Sequence, residues 1–330
     1  VSHKIKISVF KRKEQVFSTL LLAWYDKNKR DLPWRLSPSN PYYTWLSEIM
    51  LQQTTVATVV PYFYAFVEKW PTVQDLAGAS LDEVLVAWQG LGYYSRARNL
   101  HRCAQLLVEN FPVIEADFLK LPGIGPYTAA AIASIAFDQK AAAVDGNVVR
   151  VLSRYFAIKT PHPVQEVKEK LLPLVPEKRC GDFTQALMEL GALICRPKSP
   201  MCSACPLQKE CQAHTLDNSE DFPFSPPKQK LPTRYTTAFI LKREDGAILL
   251  RKRPPQGLLG GMMEVPTTPW EETPHEKKGR RVRHTFTHFH LEVDVCHHKD
   301  MSAFEGIWVH PQELRNYALP TLMKKILKGE

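Results

Sequence analysis

From residue 14 to residue 195 the apolar positions recur every three or four residues, in runs separated by short Pro, Gly or Asn punctuation. That period predicts amphipathic helices packed on a common core, and strand signatures are scarce there. The stretch 222–232, FPFSPPKQKLP, combines proline with lysine and sustains neither a helix nor a central strand, so it predicts a linker. Beyond it the period changes to two. Residues 234–240 and 247–252 flank the turn Glu244, Asp245, Gly246 as a predicted hairpin. Residues 288–295 place Phe289, Leu291, Val293 and Val295 on one strand face, and 321–327 predicts a closing amphipathic helix. No internal repeat interrupts the pattern, which predicts a mainly α domain over 1–221, a linker over 222–232 and a small α+β domain over 233–330.

Size and charge change this picture only slightly. With 330 residues and 44% apolar content, the chain can bury a large core, and its length suits two or three domains. A formal net charge of +9 makes a polyanion a natural partner, a weak argument alone because many basic proteins bind no nucleic acid. No run of eighteen apolar residues occurs, so no membrane span is expected. Residues 1–13 are basic but lack the apolar core and cleavage site of a secretory signal, which predicts a frayed surface segment. A reducing, DNA-containing compartment is expected, the cytoplasm of a bacterial cell.

Candidate chemistry begins with the cysteines. Cys195, Cys202, Cys205 and Cys211 fall within seventeen residues at the spacing C-x6-C-x2-C-x5-C, with Pro197, Pro200 and Pro206 between them. Such a knot reads as one closed metal site on a loop. Zinc and an iron-sulfur cluster are both open to four thiolates; zinc sites usually use two separated pairs, so the single knot favours a 4Fe-4S cluster. Buried or disulfide-bonded cysteines are the plain alternative, disfavoured in a chain of cytosolic character. A second signal is LPGIGPYT at 121–128, where Gly123 and Gly125 permit a sharp turn between helices and Pro126 suits the first position of the next one. Free amides at such a turn can cradle a phosphate oxygen, although an ordinary tight turn has the same residues. Asp145, in VDGN at 144–147, reads locally as a helix cap.

Together these motifs resemble the endonuclease III superfamily of DNA glycosylases. RDLPWR at 30–35, SEIMLQQT at 47–54 and GLGYYSRARNL at 90–100 resemble its MutY-type adenine DNA glycosylases in particular, and the resemblance runs from about residue 30 to 211 almost unbroken. It implies a two-lobed helix-hairpin-helix fold with an iron-sulfur loop, acting as a monomer on double-stranded DNA with 8-oxoguanine:adenine or guanine:adenine mispairs. Breaking an N-glycosidic bond needs a proton for the departing purine and negative charge near the sugar, jobs that two carboxylates can divide. The family implies Glu48 for the proton, delivered at adenine N7 before the same group activates the nucleophile, and Asp145 facing C1′. On a helical wheel alone Glu48 shares a stripe with Gln52 and Thr55, as a solvated face would.

Strand-cleaving relatives carry a lysine after the hairpin proline, whose amine forms a Schiff base with the sugar. Here the position is Tyr127, which predicts a glycosylase without an efficient lyase step. The resemblance further implies that Tyr127 packs against the sugar and bonds the catalytic carboxylate. It implies that Gln53 and Tyr93 enter the duplex with Thr54, Leu91 and Gly92 around the oxidised base. Trp34, Arg35 and Glu189 match residues lining the adenine pocket, while Asn147 belongs to the matching VDGN segment. The cysteine loop, with Arg196 and Lys198, is expected to shape a basic DNA-binding surface rather than to perform redox catalysis.

GLLGGMMEVP and HTFTHFHLEV resemble the Nudix-like domain with which this family recognises 8-oxoguanine, with Thr287 and His288 in the recognition turn. A hydroxyl at Thr287 keeps hydrogen bonding to the base available. The interval 267–283 is short and lacks the G-x5-E-x7-R-E helix that binds magnesium, so pyrophosphate hydrolysis is not expected. Five histidines, His284, His288, His290, His297 and His298, read as strand-surface residues rather than a metal set. Two other functions remain open at this level: a glycosylase-lyase for oxidised pyrimidines, and a DNA binder that recognises lesions without cutting.

Overall fold

The computed structural model describes residues 2–109, 111–224, 230–274, 279–300 and 302–328, with side chains from residue 15 onward. Part of the predicted linker, 225–229, and part of the charged interval, 275–278, lie outside the described residues. The helices are α1 (Ser2–Asn28), α2 (Pro41–Leu51), α3 (Val56–Lys69), α4 (Val73–Gly78), α5 (Leu81–Ala87), α6 (Ser95–Leu107), α7 (Glu115–Phe118), α8 (Pro126–Phe137), α9 (Gly146–Tyr155), α10 (Val164–Leu171), α11 (Cys180–Leu193), α12 (Gln212–Thr215) and α13 (Thr321–Ile326). The strands are β1 (Thr233–Ile240), β2 (Ile248–Lys252), β3 (Met263–Glu264), β4 (Arg280–Thr285), β5 (His290–His297) and β6 (Ile307–Val309). Two compact units form: residues 1–63 with 106–227, and residues 64–105 with 228–330. Among the described residues no helix is long and apolar enough to cross a membrane.

In the first unit α1, α9, α10 and α11 share a core built on Phe17, Leu21, Leu152, Val167, Phe183 and Leu187. Residues 2–28 contain neither glycine nor proline, and the backbone is helical from Ser2, so the basic stretch expected to fray is the opening of α1. Asn40 caps α2 by accepting from the Tyr42 and Tyr43 amides at 2.9 and 3.2 Å, with Pro41 preorganising the first turn. The helix stops at Leu51, and Gln53 takes a left-handed φ of 58°. The hairpin expected at 121–125 is present: Gly123 has φ 76°, Gly125 stands at the N-cap of α8, and Pro126 is its first residue. Helix α8 is alanine-rich and buried from Thr128 to Ser134, and these small residues let its backbone approach α11. The buried hydroxyls of Ser134 and Thr184 satisfy one another at 2.7 Å.

In the second unit, reciprocal caps by Thr72 with Asp75 and by Ser80 with Glu83 start α4 and α5. Two three-stranded sheets follow, ordered β1-β5-β4 and β3-β2-β6. The predicted hairpin between 234–240 and 247–252 is only half realised. The chain does turn, with the Arg243 amide donating to the Ala247 carbonyl at 2.9 Å, yet β1 pairs parallel with β5 while β2 pairs with β3 and β6. Turn chemistry is local, whereas strand pairing is a long-range choice that the turn does not fix. Phe289, Leu291, Val293 and Val295 are buried as expected, but Glu292 and Asp294 between them are buried too. Arg281 makes that tolerable, reaching Asp294 at 2.8 Å and Glu292 at 3.0 Å across the β4–β5 ladder.

A Cβ added at Gly181 would stand 2.8 Å from the Ser134 carbonyl oxygen and 3.0 Å from Ile135 Cα, both backbone atoms. Gly181→Ala is therefore expected to force α8 and α11 apart and to lower stability by about 1–3 kcal/mol, read from the denaturant midpoint. An unchanged midpoint would show that the two helices can separate without loss.

Candidate active site

An open cavity of about 830 Å³ lies within the first unit, walled by the 30–35 loop, α2 and the turn after it, and the starts of α8 and α9. Glu48, on the inner face of α2, is only 6% exposed. The Tyr127 hydroxyl, from the first turn of α8, donates to Glu48 Oε2 at 2.7 Å. Burial pushes the Glu48 carboxyl from its ordinary 4.5 to about 7; the Tyr127 hydrogen bond works against the rise, the nearby Asp145 charge adds to it and Arg35 opposes it. Burial, with the charges of Glu48 and Asp145, holds the Tyr127 hydroxyl well above its ordinary range, so Tyr127 stays a donor.

Asp145 is the N-cap of α9, accepting the Val148 amide on Oδ1 at 2.7 Å and the Asn147 side-chain amide on Oδ2 at 2.9 Å. Asn147 is held in turn by Arg150, whose Nη2 donates to Asn147 Oδ1 at 2.8 Å and to the Gly191 carbonyl at 2.7 Å. Arg150 Nε also donates to the Cys195 carbonyl at 2.7 Å. Hydrogen bonds thus run from the carboxylate to the first residue of the cysteine loop. The approach of α9 to α11 at this point requires glycine, because a Cβ on Gly191 would meet Asn147 Cβ at 2.6 Å.

Glu189 is fully buried and is not among the cavity-lining side chains. It binds Arg35 Nη1 at 2.7 Å and Arg30 Nε at 2.8 Å, so two guanidinium groups that do line the cavity are fixed from behind. Arg35 Nε is buried without a hydrogen-bond partner among the described residues. Trp34 lines the cavity edge-on to Phe63 at 5.3 Å. Gln53 and Thr54 line it as well, in the turn after α2, while Gln52 donates to Thr128 Oγ1 at 3.1 Å.

Leu91, Gly92 and Tyr93 belong to the second unit. Gly92 and Tyr93 both have left-handed φ, 71° and 47°, and Tyr94 is core. Tyr93 is 45% exposed, and its hydroxyl lies 2.9 Å from Thr287 Oγ1 in the turn that also carries His288.

The four cysteines are unbridged and line a small cavity of about 30 Å³ with Arg154, Ile194 and His214. Arg154 is 2% exposed; its Nη1 lies 3.4 Å from Cys195 Sγ, and it donates to the carbonyls of Arg196, Pro197 and Phe222 at 2.7, 2.9 and 3.0 Å. Burial pushes the Cys205 thiol up to about 12. Among the described residues no group of three or more His, Cys, Asp or Glu side chains forms a single-ion site. Four convergent thiols beside a buried guanidinium nevertheless suit a ligand that takes them as thiolates. The importance of Arg30, Arg150 and Arg154 was not apparent from sequence, although Arg150 and Arg154 stand four apart on one face of α9.

A family model described as HhH-GPD superfamily base excision DNA repair protein matches residues 46–177, and a NUDIX domain model matches residues 237–329. An adenine DNA glycosylase of Rattus norvegicus is 37% identical over 94% of this chain and 77% of its own length. One of Buchnera aphidicola is 34% identical over 95% of this chain and 98% of its own. Among solved structures, a thermostable thymine-DNA glycosylase is similar with a TM-score of 0.57 at 32% identity, covering 62% of this chain and 98% of that one. An endonuclease III bound to DNA is similar with a TM-score of 0.54 at 25% identity, covering 63% and 97%.

The raised Glu48 pKa has a thermodynamic consequence. A carboxyl at about 7 in the fold and 4.5 when free gives full stability below pH 4.5, lost as pH rises to about 7, on the order of 3 kcal/mol in all. Glu48→Gln keeps an acceptor for Tyr127 and removes the buried ionisation. Its melting temperature should therefore exceed that of the parent at pH 8 and converge with it near pH 4.5; a variant less stable at pH 8 would refute the burial account.

Proposed function

Because the chain belongs to the adenine DNA glycosylase family of base excision DNA repair proteins, we propose that it excises adenine mispaired with 8-oxoguanine or guanine, by hydrolysis and without cutting the strand. The observation that carries this is Glu48, buried at the cavity wall with its carboxyl poised near neutrality and one oxygen fixed by Tyr127. A carboxyl half-protonated at physiological pH can give a proton and take one back. Glu48 delivers its proton to adenine N7, the C1′–N9 bond breaks with its electron pair leaving on the base, and the sugar becomes an oxocarbenium ion. Asp145, fixed by the Val148 and Asn147 donors, supplies negative charge to that cation. Glu48, now a carboxylate, accepts a proton from the water whose oxygen bonds C1′.

No lysine is among the described residues lining the cavity, and the hydroxyl at Tyr127 is committed to Glu48. The absence of an amine there supports hydrolysis over Schiff-base chemistry. Trp34, Arg30 and Arg35 are our candidates for contacting the extruded adenine, with Glu189 aligning both arginines. Gln53, Thr54, Leu91, Gly92 and Tyr93 are assigned to the space the base vacates and to its former partner, and Gly123 and Gly125 to a phosphate. Residues 1–221 are assigned to base removal. Residues 233–330, joined by 222–232, are assigned to 8-oxoguanine recognition through Thr287 and His288, in a monomer.

Cys195, Cys202, Cys205 and Cys211 are proposed to hold a 4Fe-4S cluster. When bound, it supplies a covalent tie among four points of the loop that Arg154 and Arg150 join to α9. The expected visible absorption is a broad band in the blue; its absence in protein shown by metal analysis to carry zinc would replace the cluster with a single ion.

The deciding experiment is single-turnover incubation with a duplex carrying one adenine opposite 8-oxoguanine, with and without alkali. Adenine release with scission only after alkali is expected, with the rate falling as pH rises through about 7 and Glu48→Gln slower by roughly 10²–10⁴-fold or more. Scission in step with release would sink the hydrolytic assignment, and full activity in Glu48→Gln would remove Glu48 from the chemistry.

A further inference from the structure

The turn that carries Thr287 and His288 is the tip of the β4–β5 hairpin, and the ladder alone does not fix it. The last paired residues are Thr285 and His290, with the Phe286 amide donating to the Phe289 carbonyl at 2.9 Å. Both tip residues are exposed. Immediately flanking them, the rings of Phe286 and Phe289 face each other with centroids 4.9 Å apart and planes tilted by 32°. Trp270 stacks on Phe286 at 5.6 Å and lies 6.0 Å from Phe289. Guanidinium groups close the array at both ends: Arg234 sits 4.7 Å over Phe289, and Arg253 sits 5.2 Å over Trp270.

This stack has a rigid foundation. Glu271, beside Trp270, exchanges both backbone hydrogen bonds with Tyr235 at 2.8 and 3.0 Å, and Thr268 is held by Thr236 Oγ1 at 2.8 Å and by the Thr237 carbonyl at 3.0 Å. Trp270 is thus carried on an extra edge laid along β1, the strand that also carries Arg234. Arg253 is ion-paired to buried Glu264. Arg234 Nη2 lies 3.5 Å from Glu272 Oε1, and the Nε atoms of Arg234 and Arg253 are buried and make no hydrogen bond among the described residues, so each guanidinium is shared between a carboxylate and a ring face.

We propose that Trp270 and Arg234 are positioning residues for recognition of the oxidised base: the Arg234, Phe289, Phe286, Trp270, Arg253 stack holds the hairpin tip from behind and aims the Thr287 hydroxyl. The inference rests on assigning 8-oxoguanine recognition to that tip. Guanine and 8-oxoguanine differ by one ring hydrogen and one oxygen, so discrimination depends on a polar group held to about half an ångström, which a free hairpin tip does not provide. The Thr287–Tyr93 hydrogen bond at 2.9 Å depends on the same placement.

The test is a double-mutant cycle in the full chain, measuring equilibrium affinity for duplexes with a non-hydrolysable 2′-fluoro adenine nucleotide opposite 8-oxoguanine or opposite guanine. Trp270→Ala and Thr287→Val should each lower the preference for 8-oxoguanine, by up to roughly tenfold. The double variant should lose no more than Thr287→Val alone, and Trp270→Phe should recover most of the preference. Losses that multiply in the double variant, or a preference untouched by Trp270→Ala while Thr287→Val lowers it, would overturn the positioning role. A preference untouched by Thr287→Val would instead overturn the recognition assignment and take this inference with it. Where Trp270→Ala unfolds the domain in a thermal melt, Arg234→Gln enters the same cycle, with the same expected ratio and the same overturning result.

Discussion

The hydrogen bond from Tyr127 to Glu48 is the contact on which the site depends. Taking a carboxyl out of water opposes its ionisation, and at 6% exposure that opposition sets the pKa of Glu48. A single neutral donor restrains the rise without abolishing it. The bond joins α2 to α8 across 2.7 Å, so its survival requires those helices to keep their separation. Helix α8 packs on α2 on one side and, through the Gly181 contact, on α11 on the other, so its position is set by the helical core, which ties that packing to the protonation state of one group.

The arginines change the meaning of the basic composition. A charge of +9 first reads as a surface for phosphates, yet several guanidinium groups have internal partners. Arg30 and Arg35 clamp a fully buried glutamate, Arg150 links the Asp145–Asn147 pair to the cysteine loop, and Arg154, 2% exposed, binds two carbonyls of that loop and the Phe222 carbonyl. Each task needs a planar group with several donors in fixed directions, which lysine does not supply. Their presence therefore says more about how the site is braced than about how DNA is held.

What the sequence disclosed followed from locality. Pro126 after a glycine turn, Asp145 before a helix and the four close cysteines are short-range signals, and the helix starts appear where those signals predict them. The alternation of β5 was also legible, down to its buried apolar face. The strand pairing was not, because β1 passes over β2, its neighbour in sequence, to pair with β5. The burial of Glu292 and Asp294 was not legible either, because the Arg281 that pairs with both stands on another strand. Glu189 and Arg30 are 159 positions apart, and nothing local to either announces the other. Trp270 likewise stands in a charged interval without periodicity, and its role follows only from the edge laid along β1.

The identity of residue 127 links two aspects of the proposed chemistry that appear separate. A hydrolytic acid at neutral pH needs Glu48 to keep its proton, and a neutral phenol permits this because burial is then the largest influence on the carboxyl. A lysine ammonium at the same distance would favour the carboxylate and draw the pKa down, emptying the acid at the pH where it must act. An amine that instead lost its proton would be a nucleophile and open the Schiff-base route. Acid-first hydrolysis and amine-driven strand cleavage are thus competing uses of one position, and a Tyr127 hydroxyl held as a donor by its own burial is what the proposed hydrolytic route requires.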